Sequence, residues 1–161
     1  MSQFQIRRAT PADAATIAHH RARMFQDMGE LSAEATELLR TKAQPVIASA
    51  LQCGDYLAWL ASSADKPAVI IAGAGVHLHQ IFPRPLNQTD VSEGRQATIV
   101  NVFTEPEWRR QGFAALLLRE IIAWSRTAGV ARLVLHASNE GRSLYEKLGF
   151  VASNEMRFTD K

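Results

Sequence analysis

The sequence has a single cysteine, Cys53, among its 161 residues. One cysteine cannot form an internal disulfide, and without a cysteine cluster a structural zinc site is not expected. Long apolar runs are also missing, since the longest nearly apolar stretch, residues 68–76, is far too short to span a bilayer. The first residues contain no apolar segment of the signal-peptide kind. We therefore expect a cytoplasmic protein that has no membrane partner and binds no metal.

A strong charge of either sign is absent too. The 18 Lys and Arg against 16 Asp and Glu give a formal net charge of only +2, and no dense basic tract is present. This balance does not favour a nucleic-acid partner. With 47% apolar and 21% charged residues, the composition is that of a globular chain. We expect residues 1–161 to form one domain.

The first third of the chain predicts one strand and two helices. Phe4–Arg8 alternates apolar and polar residues as a strand does. Residues 10–13 (Thr-Pro-Ala-Asp) begin a helix, and Gly29 is expected to end it. The apolar face of this helix is expected to comprise Ala14, Ile17, Ala18, Ala22 and Phe25. Ser32 is expected to cap a second helix towards Leu51, which Pro45 should kink or divide.

The rest of the chain predicts an α/β fold with a mixed sheet. Strands are expected at residues 56–61, 68–79 and 97–103, with a loop over the polar residues 83–95. Residues 101–118 then combine the end of a strand, a turn closed off by Pro106, and a strongly helical segment. The turn holds Arg109, Arg110 and Gly112. Because the first amides of a helix lack intrahelical partners and carry partial positive charge, we expect a pyrophosphate to bind here. The alternative is an ordinary connection with solvated arginines. The Gly-Lys-Ser/Thr pattern of a P-loop is absent.

Three motifs, in this order, resemble the GNAT superfamily of acyl-CoA-dependent N-acetyltransferases. They are Val102-Phe103-Thr104, then Arg109-x-x-Gly112-x-Ala114, then residues 144–150 (Leu-Tyr-Glu-Lys-Leu-Gly-Phe). The resemblance is close over residues 97–157 and looser before them. It implies a single domain with a mixed, mostly antiparallel sheet flanked by helices, with splayed central strands. It also implies acetyl-CoA as co-substrate.

The resemblance also implies where the co-substrate binds. The backbone of the strand end should hold the pantetheine arm, and the amides of residues 110–115 should hold the pyrophosphate. An asparagine before the last helix should touch the cofactor or cap that helix. The expected cofactor residues are Val102, Phe103, Thr104, Arg109, Arg110, Gln111, Gly112, Phe113, Ala114, Ala115 and Asn139.

The expected catalytic residues are Tyr145, His136 and Asn101. Tyr145 matches the position that in many relatives protonates the coenzyme A thiolate; the alternative is a tyrosine packed on the core. The glutamate that some relatives use as base would fall near Thr98, which cannot serve. His136 is the expected base, unless it is a buried histidine bonded to backbone, and Asn101 would instead orient a water. Glu105 lies at the strand exit, where it is as readily explained as a solvated side chain.

The acceptor side is expected to involve Phe25, Asp27, Met28 and His77. The loop between the first two helices usually covers the acceptor pocket in this fold. Asp27 would attract a cationic amine, and the methionine and phenylalanine offer an adaptable apolar surface. The alternative is that Phe25 and Met28 belong to the core. His77 and His79 share one face of a strand and are expected to line this pocket rather than bind metal.

The sequence thus predicts an N-acetyltransferase that moves an acetyl group from acetyl-CoA to a primary amine by direct attack in a ternary complex. The acceptor is a small-molecule amine or a peptide or protein amine, and a homodimer is possible in such a fold. The alternative is a non-catalytic protein of the same fold that binds or senses acyl-CoA.

Overall fold

The computed structural model describes residues 4–160, which form a five-stranded sheet covered by helices on both faces. Two helices, α1 and α2, pack with Tyr56, Ala58 and Leu60 on one face. A third helix, α3, packs on the other face against the larger core cluster. The strands are β1 Phe4–Arg8, β2 Tyr56–Ser63, β3 Lys66–Pro85, β4 Val91–Thr104 and β5 Arg132–Leu135. The helices are α1 Ala14–Asp27, α2 Ala33–Cys53, α3 Phe113–Thr127 and α4 Arg142–Lys147, with short 3-10 turns at Pro11–Asp13 and Pro106–Trp108.

Strands β4 and β5, the last two in the sheet, separate part-way along their length. The sheet order is β1-β2-β3-β4-β5, with antiparallel pairing everywhere except between β4 and β5, which are parallel. Their pairing begins at Gln96 with Arg132 and ends at Ile99 with Leu135. Strand β4 continues to Thr104 without a β5 partner. Its last residues therefore leave a backbone edge free, as expected for splayed central strands.

A β-bulge in β4 lies where the two strands separate. Val100 pairs with Gly75 and Phe103 with Gly73, so β4 has one residue more than β3 between these pairs. Asn101 takes the irregular position with φ 59°, which few non-glycine residues adopt. Val100 packs with the α1–α2 cluster, and Phe103 contacts His20 of α1. The bulge thus brings Phe103 to the same face as Val100, although they are an odd number of residues apart.

The first two helices begin and end largely as the sequence predicts. The Ser32 hydroxyl accepts from the Ala35 amide at 3.2 Å at the start of α2, and Gly29 follows α1 with φ 75°. Ala14, Ile17, Ala18 and Ala22 are buried. Of the two expected effects of Pro45, a kink or a division of the second helix, division is wrong, because α2 runs unbroken through Pro45. A proline removes only one helical hydrogen bond, and buried Ile47 continues to fix the helix against the sheet.

The predicted loop over residues 83–95 is also wrong, since most of it forms the outer part of a β-hairpin. Strand β3 extends to Pro85 and β4 starts at Val91, so only residues 86–90 connect them. The Asn87 side-chain oxygen accepts from the Thr89 and Asp90 amides at 2.8 and 2.9 Å and shapes the turn. The side chains at this end of the hairpin are mostly exposed, so its polar composition is typical of a loop although its backbone is paired.

Candidate functional site

The start of α3 has the features of an anion-binding site. Gly112 precedes the helix with φ 87°, and Arg110 has φ 62°. No side chain caps the helix, so the amides of Phe113, Ala114 and Ala115 have no partner within it. These amides face a cavity of about 350 Å³. The cavity is lined by Thr104, Trp108, Arg109, Arg110, Gly112, Phe113, Ala114, Ala115 and Leu144. Because φ of Gly112 is disfavoured for other residues, the turn itself requires glycine.

Arg109 connects the end of β4 to the end of α1. Its Nε donates to the Thr104 carbonyl at 2.9 Å, and its terminal nitrogen donates to Asp27. Asp27 also lies 3.8 Å from Arg23. The sequence placed Arg109 with the phosphates and Asp27 with the acceptor amine, whereas the structure joins the two side chains in one ion pair. The negative charge of Asp27 is therefore already balanced by nearby arginines.

Three other expected cofactor residues have their side chains engaged elsewhere or in solvent. Phe113 is buried, with its ring edge-on to Phe4 at 4.6 Å, so only its backbone faces the cavity. The Gln111 side-chain amide donates to the Glu107 backbone carbonyl at 3.3 Å. Asn139 is exposed, and the prediction that it caps α4 is wrong. The Ser138 hydroxyl accepts from the Gly141 amide instead, at 3.1 Å.

A second cavity, of about 510 Å³, lies between α2 and the sheet, beside the bulge. Its aliphatic wall consists of Leu39, Ala43, Val46, Ile47, Ala50 and Val100. Its polar lining consists of Arg21, Lys42, Tyr56, His77, His79, Thr98 and Asn101. The structure thus brings together His77 and Asn101, which the sequence assigned to the acceptor and to catalysis.

Asn101 forms a buried polar network in this second cavity. Its side-chain oxygen accepts from the Arg21 guanidinium at 2.8 Å, and its side-chain nitrogen donates to the Tyr56 hydroxyl at 3.0 Å. Burial raises the pKa of Tyr56 to about 12, against the smaller opposing effects of Asn101 and Arg21. Tyr56 is therefore neutral, and its own proton remains available for a further acceptor.

Gly75 provides the space that the Tyr56 ring occupies. A Cβ at Gly75 would lie 2.2 Å from the Tyr56 hydroxyl oxygen, closer than any real contact. The sequence analysis missed both Tyr56 and Arg21 as site residues. The signal that could have indicated Tyr56 is the Gly-Ala-Gly of residues 73–75, because glycines inside a strand mark a close approach.

A third cavity, of about 530 Å³, contains Tyr145 and His136. The Tyr145 ring lies over Gly141, where a Cβ would be 2.8 Å from the ring, and edge-on to Phe150 at 6.2 Å. The Tyr145 hydroxyl forms no hydrogen bond with any residue in the range 4–160, and burial raises its pKa. His136 follows the end of β5 and is exposed, with its Nε2 3.0 Å from Glu155 Oε1. It is not the buried, backbone-bonded histidine of the alternative interpretation.

The remaining expected acceptor residues lie near the second cavity's rim or beyond it. The Phe25 ring is 5.0 Å from the Arg21 guanidinium carbon, a cation–π contact that supports the arginine. Met28 is exposed just after the end of α1 and does not line the second cavity. Neither residue belongs to the buried core.

Glu105, at the exit of β4, belongs to a polar cluster with His19 and His20 that the sequence did not indicate. His20 is almost completely buried, and its Nε2 has no hydrogen-bond partner in the part of the chain that is described. Glu105 Oε1 lies 3.6 Å from this atom and 3.4 Å from His19 Nε2. Burial, with a smaller contribution from the neighbouring His19, lowers the pKa of His20 to about 4. Glu105 is thus packed against two histidines.

Residues 4–160 contain neither a metal-binding cluster nor a membrane-spanning helix. No group of three or more His, Cys, Asp and Glu side chains is arranged to hold a metal ion. No helix in this range has both the length and the hydropathy needed to cross a membrane.

Known proteins are similar to this chain in sequence and in overall fold. The model of the acetyltransferase (GNAT) domain matches residues 58–152. A GCN5-related N-acetyltransferase from Ralstonia eutropha is 23% identical, with a TM-score of 0.83 over 98% of this chain and 99% of that one. A predicted acetyltransferase from Clostridium acetobutylicum, solved with acetyl-CoA, is 25% identical, with a TM-score of 0.80 over 98% and 96%. Glucosamine-6-phosphate N-acetyltransferase from Arabidopsis thaliana is 16% identical, with a TM-score of 0.65 over 99% and 98%. No curated protein sequence matches this chain.

Proposed function

Because the chain belongs to the GNAT family of acetyltransferases, we propose that it transfers the acetyl group of acetyl-CoA to a primary amine in a ternary complex. In this reaction the amine nitrogen attacks the thioester carbonyl, the C–S bond breaks, and the amine loses a proton while the thiolate gains one. The protein must therefore hold a diphosphate, position an amine, and supply and remove protons.

The observation that carries the proposal is the anion site at the start of α3. Uncapped amides, a positive helix end and the exposed Arg110 converge on one cavity, which is the arrangement that a pyrophosphate requires. The Clostridium acetobutylicum relative was solved with acetyl-CoA, which supports the same ligand here. Gly112 through Ala115 would hold the diphosphate, with Arg110 beside them.

The free edge of β4 supports the second half of the co-substrate site. From Val100 to Thr104 the strand has no partner on the β5 side, so its amides and carbonyls are available there. An extended amide-containing chain can pair with such an edge as an added strand does. The backbone of Val102, Phe103 and Thr104 would therefore hold the pantetheine arm. Their side chains have other neighbours, as Val102 packs on the α3 core and Phe103 on His20.

Tyr145 is the residue that we assign to protonate the departing thiolate. Its hydroxyl has no competing partner among residues 4–160, and its raised pKa keeps the proton on the oxygen at neutral pH. A phenol is close enough in acidity to a thiol to exchange a proton with it. The proton of the amine would pass to His136 or to a water that Asn101 orients.

A thermal-shift assay with acetyl-CoA tests the co-substrate site. A ligand at a hundred times its dissociation constant stabilises the folded protein by about 2.7 kcal/mol, so the unfolding midpoint should rise by several degrees. Gly112→Glu should abolish this rise, because a carboxylate and its bulk would oppose the diphosphate. ATP and a DNA oligonucleotide should produce no comparable rise.

The matched control is Gly129→Glu, at the other end of the same helix. Gly129 also has a positive φ, 67°, and open space around its Cα, so the two variants share the strain but differ in distance from the cavity. Gly129→Glu should keep the rise with acetyl-CoA. Equal loss in both variants, or no rise in the unmodified protein, would contradict the proposed site. A rise without thiol release for any amine would support the non-catalytic alternative.

A further inference from the structure

The second cavity is positively charged and has no acidic residue in its lining. Its charged or titratable members are Arg21, Lys42, His77, His79 and Tyr56, and the rest of the lining is mostly aliphatic. A polycationic acceptor would find no countercharge here. An acceptor with an apolar body and a negative group would find both kinds of partner.

Arg21 is the best-placed partner for that negative group. No carboxylate in the range 4–160 pairs with it, in contrast to Arg7, Arg23, Arg40, Arg109 and Arg142, which all have acidic partners. Its guanidinium is held by Asn101 at 2.8 Å and by the Phe25 ring at 5.0 Å. A guanidinium has five N–H donors, so most of them remain for a ligand.

The position of Arg21 is fixed before any ligand arrives. Asn101 is oriented from its other end by the Tyr56 hydroxyl, and the Tyr56 ring is in turn seated over Gly75. A side chain that is already ordered loses less entropy on binding, which favours specific recognition of a planar carboxylate. Arg21 therefore has the geometry of a carboxylate-binding arginine.

The second cavity also adjoins the point where β4 and β5 separate, which is where acyl transfer would take place. Thr98, Val100 and Asn101 line it, and the pairing of β4 with β5 ends at Ile99 within the same stretch. An amine that enters from the α2 side thus reaches the point where the two strands separate. Resting on the acetyl transfer proposed above, we propose that the acceptor is an apolar amino acid whose carboxylate binds Arg21.

A matched set of acceptors tests this substrate class. L-leucine, L-leucinamide and 3-methylbutylamine share one side chain but differ in the carboxylate, and thiol release from acetyl-CoA reports turnover. L-methionine and L-phenylalanine, each with its amide and decarboxylated amine, extend the comparison. Neither the amide nor the decarboxylated amine can form the charged hydrogen bond between a carboxylate and Arg21. The KM of the free amino acid should therefore be about 10- to 100-fold lower than theirs.

The Arg21→Gln variant should remove this preference. Its KM for the amino acid should rise by about 10- to 100-fold, with little change for 3-methylbutylamine. Arg21→Lys keeps the charge but loses the planar fork, so its preference should be intermediate. Arg40→Gln is the control and should behave as the unmodified protein, because Arg40 is paired with Glu37 and does not line the second cavity.

The outcomes separate this inference from the proposed function. Equal kcat/KM for the amino acid and its decarboxylated amine, or a higher value for an aminoglycoside, would overturn the carboxylate assignment alone. A midpoint raised by acetyl-CoA without turnover of any acceptor would overturn both the assignment and the acetyl transfer. If Arg21→Gln kept the preference for the free amino acid over its amide and its decarboxylated amine, another residue would have to bind the carboxylate. That result would overturn the role of Arg21.

Discussion

At the scale of single residues, Tyr145 has separate environments for its ring and its hydroxyl. The ring is fixed between Gly141 and Phe150, whereas the hydroxyl has no partner among the described residues. Removing the hydroxyl should therefore leave the packing intact while removing the proposed acid.

The first prediction concerns Tyr145→Phe. Positioned acids contribute about a hundredfold or more to a rate, so kcat should fall by roughly that factor. The midpoint shift with acetyl-CoA should stay unchanged, because the anion site does not involve the hydroxyl. Steady-state kinetics of thiol release measure the first quantity, and a twofold fall would assign Tyr145 to packing.

Asn101 shows at the same scale what sequence reasoning can and cannot reach. The residue is singled out by its place at the end of an apolar strand, so it could be predicted as a candidate site residue. Its partners could not, because Arg21 and Tyr56 lie 80 and 45 positions away and meet it only through the packing of α1 and the sheet. Its φ of 59° depends likewise on the strand register against β3.

At the scale of elements, α2 keeps its helical path although it contains Pro45. Pro45 is exposed and has no amide to donate to the Thr41 carbonyl, so α2 lacks one backbone hydrogen bond. Packing against the sheet compensates for this loss within the native fold.

The second prediction is that Pro45→Ala stabilises the protein. The alanine restores the missing backbone amide and has the best helix propensity. The free energy of unfolding should therefore rise by about 1 to 3 kcal/mol. Urea denaturation measures the change, and the kinetics should not alter because Pro45 does not line the second cavity. Gln44→Ala, one residue earlier, is the control and should change stability by only a few tenths of a kcal/mol. A destabilised Pro45→Ala would mean that the helix depends on the proline's shape.

The turn from β4 into α3 was predictable, whereas the outer β3–β4 hairpin was not. The turn is specified by local rules, since a proline, a glycine with positive φ and an amphipathic segment follow one another within a few residues. The hairpin end has exposed side chains and two prolines, so neither hydrophobic alternation nor composition indicates its strands. Its pairing is determined by backbone hydrogen bonds and by the Asn87 turn.

At the scale of the whole molecule, the buried His20 links stability to pH. The unfolded chain takes up a proton on this histidine near its usual pKa of 6.5, whereas the folded protein does so only near pH 4. Between these values the unfolded state binds more protons, so the free energy of unfolding falls as the pH falls. The loss should level off below about pH 4.

The third prediction is the size of this pH-dependent loss in the free energy of unfolding. A pKa lowered from 6.5 to about 4 corresponds to about 3 kcal/mol of stability lost between those pH values. Urea denaturation at several pH values measures the slope. His20→Gln should flatten it whatever its effect on absolute stability. His19→Gln should keep most of it, because burial contributes more than His19 to the lowered pKa of His20. Equal slopes in the unmodified protein and His20→Gln would contradict the assignment.

The proposed assignment of one site to acetyl-CoA and of another to the acceptor has a consequence for how such chains diverge. The matched domain region, residues 58–152, contains the turn proposed to bind the diphosphate, the free strand edge and Tyr145. Arg21, Tyr56 and the α2 wall of the second cavity precede it. Substitutions in the first 57 residues can therefore change the acceptor while the donor machinery stays the same. For the same reason, recombining this leading segment between relatives is a direct route to new acceptor ranges.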